Sequence, residues 1–195
     1  NVSVAYDGFV MTMGDIRSDR QYVTEYLEGF TDANVTHEAG KAEFIYHFSD
    51  KPDITITLEV GADSVYLTLD MPVDAPFEEL SFPGALTTEK GEWLVLPRAT
   101  GALIPVDEVD LWGFTFFSWK SSMNFIGVLD PGLETGLLMR MEEDWSSEVY
   151  FHHHGEGKPI KPYPIHLAEK GVFGQPRHIT YTLISSGGYV AMAEK

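Results

Sequence analysis

Apolar and polar residues alternate with a period of two over much of this chain. Ile54, Ile56, Leu58 and Val60 are separated by Thr55, Thr57 and Glu59, and Val65, Leu67 and Leu69 resume the alternation after Gly61–Ala62–Asp63–Ser64. Successive side chains of a strand point to opposite faces, so this stretch predicts a β-hairpin with one buried face and a turn at Gly61–Ser64. The same reading predicts strands at Glu43–Phe48, Leu111–Trp119, Asn124–Asp130, Gly136–Met141, Glu148–His153 and His178–Ile184. Between Lys90 and Pro105 a short apolar strand at Glu92–Leu96 meets Pro97, turns through Ala99–Thr100–Gly101, and gives way to a second apolar run. Turn signals recur roughly every 8–12 residues, the spacing of a sandwich or barrel. No helices of the length that parallel strands require lie between them. The expected fold is therefore all-β: two antiparallel sheets packed face to face, one curved over the other so that a concave face is available.

One or two short helices complete the expectation. Ser18 or Asp19 can cap a segment that places Tyr22, Val23, Tyr26, Leu27 and Phe30 on one face, with Gly29 near its end. Tyr189–Lys195 reads as the start of another. Lys158–Pro164 reads as a loop, because its three prolines lack the N–H that a ladder needs.

Composition narrows the function classes. At 195 residues, with 44% hydrophobic and 13% aromatic side chains, the chain suits one domain, 1–195, with ample core. No apolar run approaches the roughly 18 residues that span a bilayer. A net charge of −17 disfavours nucleic acid and anionic membranes as partners and favours a neutral or cationic ligand. The acid excess lies before Phe151, whereas five of the seven histidines follow it. The absence of cysteine excludes disulfides, thiolate metal sites and cysteine nucleophiles, and fits the cytoplasm and exported proteins alike. The chain opens on Asn rather than Met, so the lack of a leader says nothing of its compartment.

Candidate chemistry is sparse. In a strand, His152 and His154 share one face about 6.5–7 Å apart, with Glu156 beyond a glycine. These residue types suit an edge or loop, a polysaccharide contact, or an N/O-binding metal, but the spacing of zinc motifs is absent and no metal or cofactor is expected. Glu142–Glu143–Asp144 reads as a solvated acidic turn, since neighbouring carboxylates seldom face one bond as a glycosidase pair does. Arg140, if it shares a face with Glu142, reads as its ion-pair partner across strands. Trp145 beside these acids is the better candidate for an exposed stacking platform, while the aromatic run Leu111–Trp119 reads as core. The chain has no P-loop, dinucleotide fingerprint or nucleophile elbow.

Two passages carry a family likeness. Pro97–Pro105, in the pattern P-x-x-x-G-A-L-I-P after a short strand, resembles a passage of the β-supersandwich (galactose-mutarotase-like) domain that precedes the barrel of many glycoside hydrolases. Gly171–Tyr181 followed by Gly187–Lys195 resembles the last strand of that sandwich and the helix that links it to the barrel. The resemblance implies a non-catalytic accessory domain, part of a larger enzyme, with residues 189–195 starting a linker and a catalytic barrel C-terminal to this chain. It implies a carbohydrate partner, for which Trp145, His152, His154, Glu156 and Arg140 are the candidate contacts, and no catalytic residue within the chain. An alternative is a self-sufficient sugar-binding module, or a mutarotase-like epimerase using histidines and a carboxylate as acid and base. An exported parent is favoured over a cytoplasmic one.

Overall fold

The computed structural model describes residues 2–6, 9–13, 29–83, 92–97, 101–107, 114–117, 122–143, 145–152 and 160–195. The strands are β1 (Val2–Tyr6), β2 (Phe9–Met13), β3 (Phe30–Glu38), β4 (Lys41–Phe48), β5 (Ile54–Val60), β6 (Ser64–Asp70), β7 (Glu79–Ser81) and β8 (Trp93–Leu96). They continue with β9 (Ala102–Pro105), β10 (Phe114–Phe117), β11 (Phe125–Leu129), β12 (Gly136–Met141), β13 (Ser147–His152), β14 (Lys161–Leu167) and β15 (Arg177–Ile184), and a helix, α1 (Gly188–Glu194), follows. A large sheet runs in the order β3-β4-β5-β6-β15-β12-β11-β8-β9, a smaller one in the order β10-β13-β14-β7, and β1 pairs with β2. The expected all-β sandwich is the observed fold, and its pairings are antiparallel.

Alternation explains the layering. Ile54, Ile56 and Leu58 of β5 and Leu67 and Leu69 of β6 face Val149 and Phe151 of β13 and Leu80 of β7 across the space between the sheets. Burying each such side chain is worth roughly 1.5–3 kcal/mol, so the inter-sheet layer dominates stability. Over β8, β11 and most of β12 apolar residues occupy both faces, because both are covered there. Ile126, Val128 and Met139 join the inter-sheet core, whereas Phe125, Leu129 and Leu138 form a second cluster with Met192 of α1. Gly127 and Gly136 make room for that helix: a Cβ on either would stand far inside contact distance of the Met192 side chain. The last residue is tied back as well, since Arg140 Nη1 donates to the Lys195 carbonyl at 3.0 Å and Lys195 Nζ meets Asp63 Oδ2 at 2.6 Å.

Two expectations change. The helix expected from Ser18 or Asp19 lies outside the described residues, except that Phe30, assigned to its apolar face, opens β3. Lys158–Pro164 was expected to be a loop, yet Lys161, Pro162 and Pro164 belong to β14, which pairs with β13 in continuous register. The reason is geometric. Within a strand, the N–H and C=O of one residue point to the same side. The Pro164 carbonyl accepts from Phe82 N at 3.3 Å and Ser81 Oγ at 3.2 Å, so its nitrogen faces β7 and not β13. Pro162 faces the same way and lies beyond the end of β7, which pairs only with Ile165–Leu167. Neither proline removes a donor that β13 needs. Among the described residues, no helix is long and apolar enough to cross a membrane.

Candidate functional site

The outer face of the large sheet, opposite the core, carries the polar chemistry. In β15, Ile179 and Tyr181 point inward, so His178, Thr180 and Thr182 point outward. At this edge Glu142 N donates to the His178 carbonyl at 3.1 Å and carries the β12–β15 ladder one step past β12. Glu143 then turns its carboxylate onto the same residue. One oxygen accepts from His178 N at 2.7 Å and the other from His178 Nδ1 at 2.6 Å. The Glu143 side chain is only 11% exposed, against 48% for His178. A carboxylate at Nδ1 keeps the proton there, which leaves Nε2 as the ring nitrogen that can accept from or donate to a ligand. Trp145, 85% exposed, follows on the same turn. Arg140 Nε bonds Glu142 Oε1 at 2.8 Å, and Thr180 Oγ1 reaches that oxygen at 3.4 Å. Glu142 and Glu143 are thus held by pairing: Arg140 holds Glu142 along its own strand, and Glu143 holds the start of β15.

A second imidazole pair lies at the far edge of the same face. His47 Nδ1 meets Asp53 Oδ2 at 2.9 Å and His47 Nε2 meets Asn34 Nδ2 at 2.8 Å. Both ring nitrogens are engaged, so His47 ties β3, β4 and the approach to β5 together and offers nothing further. A third histidine, His166 of β14, is fully buried with Nε2 donating to the Phe82 carbonyl at 3.1 Å. Burial, and next the nearby Arg177 charge, push its pKa down to about 3, so it is a neutral core group.

The described candidates from the sequence fall at two ends of β13. Arg140 and Trp145 lie at the end of the molecule where β12 leaves and β13 enters. His152 closes β13 at its opposite end, opposite Lys161 and on the order of 17 Å along the strand from Ser147. His154 and Glu156 lie outside the described residues. Sequence reasoning missed His178 and read Glu143 as solvent-facing. The usable signal was the alternation of β15, which puts His178 on the polar face; its pairing with a residue 35 positions away is a long-range fact.

A cavity of about 510 Å³ opens at one end of the sandwich. Its apolar floor is Phe48, Ile54, Met71 and Phe77, and Asp50, Lys51 and Glu78 stand at its lining from the β4–β5 and β6–β7 connections.

Comparison with known proteins bears on the fold. No family model matches the chain, and no curated protein matches it in sequence. Among solved structures it superposes on α-N-acetylgalactosaminidase NagBb from Bifidobacterium bifidum in its GalNAc complex, with a TM-score of 0.71 and 13% identity. That match covers 98% of this chain and 34% of the NagBb chain. The Gal-NHAc-DNJ complex of the same enzyme gives a TM-score of 0.68 at 11% identity, over 100% of this chain and 38% of that one. The Slr1438 protein from Synechocystis sp. PCC 6803 matches with a TM-score of 0.52 at 11% identity, over 79% of this chain and 66% of that one. The chain has the β-supersandwich fold. The likeness drawn from Pro97–Pro105 and Gly171–Lys195 therefore holds at the level of architecture, and the supersandwich spans about a third of the NagBb chains it matches.

Proposed function

We propose that this supersandwich is a non-catalytic accessory domain of a carbohydrate-active enzyme, a glycoside hydrolase. It supports the catalytic barrel that follows it and lends a wall to the substrate cleft. The observation that carries this reading is the NagBb match: 98% of this chain superposes on 34% of a glycosidase, leaving most of that enzyme to other parts. Fold alone does not assign chemistry, so the reading also leans on the outer-face residues. Trp145, two residues after Glu143 in the chain, supplies a broad apolar surface for the C–H face of a pyranose, and His178 Nε2, with its ring fixed by Glu143, supplies a directed hydrogen bond. Arg140 enters this corner through Glu142.

The test is retention of the chain on a panel of immobilised glycans. Wild-type protein is expected to be retarded, and Trp145→Ala to bind about five- to tenfold more weakly, the loss of one stacked aromatic. Equal retention of the two proteins would remove Trp145 from the contact. A second reading, a mutarotase-like epimerase, is favoured by the imidazole–carboxylate pair itself, because Glu143 and His178 form an acid–base couple on an open face.

A further inference from the structure

We propose that the cavity between the β4–β5 and β6–β7 connections is a second binding site, separate from the Trp145 corner, and that it takes a neutral pyranose residue. The inference rests on the carbohydrate reading for its ligand class. For the existence of a site it rests on the cavity alone.

The cavity is prebuilt. Phe77, on its floor, packs edge-on against Phe173 with ring centroids 5.4 Å apart, and the Arg177 guanidinium lies 5.1 Å over the other ring. Arg177 also donates to Glu169 Oε1 at 3.0 Å, to the Leu167 carbonyl at 3.0 Å and to the Phe173 carbonyl at 2.7 Å. The β14–β15 connection, which lends Gly171 to the cavity wall, is thereby braced from inside. Phe77 N donates to the Gly171 carbonyl at 3.1 Å and Phe173 N to the Ala75 carbonyl at 3.0 Å, which locks the β6–β7 connection onto the same brace. Gly171 takes a φ of +85° that a side chain would strain, and a Cβ there would meet nothing within 4 Å. A floor held this firmly does not collapse when empty, so a ligand spends little binding energy on ordering it.

The lining selects the ligand. A volume of about 510 Å³ falls within the range of roughly 300–1,000 Å³ typical of small-molecule sites. Apolar floor below and polar groups above match a pyranose, which has an apolar C–H face and a hydroxyl edge. Asp50 and Glu78, with two carboxylate oxygens each, and Lys51, with three N–H donors, have capacity for sugar hydroxyls in addition to the protein partners that Lys51 and Glu78 already hold. An anionic ligand is disfavoured by the two carboxylates and by the −17 net charge.

Saturation-transfer NMR with methyl β-galactoside and N-acetylgalactosamine as probes, on the full chain, tests this. Transfer to the sugar protons is expected in the wild type, with binding at least about tenfold weaker in Phe48→Ala and in Glu78→Gln. Glu78 is exposed, so Glu78→Gln is the variant to read where Phe48→Ala fails to fold, and Glu59→Gln, on the outer face of β5, is expected to bind as the wild type does. Unchanged binding in Glu78→Gln and a folded Phe48→Ala overturns the cavity site. So does loss of monosaccharide binding in Trp145→Ala alone, which leaves the carbohydrate reading standing and moves the sugar to the corner. Absence of transfer from either probe overturns the cavity site without touching the domain's relation to a barrel.

Discussion

Replacing Arg177 by methionine is expected to lower the thermal midpoint by roughly 6–12 °C, the equivalent of about 3 kcal/mol for a chain of this size. The side chain is 0% exposed and serves three acceptors, two of them the backbone carbonyls of Leu167 and Phe173. Buried ion pairs can often be exchanged for apolar residues at little cost, and methionine fills a similar volume. Here the ion pair is the lesser part, because Glu169 is 40% exposed and can return to water. The carbonyls cannot, and each buried acceptor left without a donor costs about 1–3 kcal/mol. Circular-dichroism melts of the two proteins decide the matter; a midpoint within 2 °C of wild type would mean that water reaches these carbonyls. The same variant is expected to loosen the cavity wall, since the brace through Phe173 and Phe77 is lost.

Acidification is expected to destabilise this protein more steeply than a His166→Gln variant. His166 is neutral in the fold with its pKa lowered to about 3, while the unfolded chain binds that proton near pH 6.5. Between those values the unfolded state holds more protons, so stability rises with pH and is lost as pH falls below 6.5. The slope from this one group reaches about 1.4 kcal/mol per pH unit, on the order of 4 kcal/mol across the window. Arg177 and His178 add to the effect by opposing a charge at that place. Glutamine keeps a donor for the Phe82 carbonyl but has no proton to gain. Urea unfolding at pH 7, 6, 5 and 4 should give curves that diverge below pH 6.5; parallel curves would show that His166 becomes protonated within the fold.

How much of this was legible in the sequence depends on whether the cause was local. The β5–β6 hairpin could be read from Ile54 to Leu69 because burial on one face imposes a period of two, and the strand–turn–strand at Glu92–Pro105 because its prolines and glycine mark the turn. Strand β14 could not. Whether a proline harms a ladder depends on which side its nitrogen faces, and that is set by β7, far away in sequence. Arg177 carries no local signal, and only the fold reveals it as the brace behind the cavity wall, over the Phe173 ring. At the corner, Trp145 stood out by its type and its acidic neighbours. Glu143 and His178 did not, because their partnership is made when β12 and β15 align. Gly127 and Gly136 likewise take their meaning from Met192, which packs over them only in three dimensions.

As proposed, this supersandwich engages sugar without transforming it. The most direct test adds the purified chain to freshly dissolved α-N-acetylgalactosamine and follows anomer interconversion by NMR, with an aryl α-N-acetylgalactosaminide in parallel for hydrolysis. Interconversion and hydrolysis at the buffer rate are the result predicted. Protein-dependent acceleration of either, abolished in His178→Ala, would contradict the account and make the Glu143–His178 couple an active site.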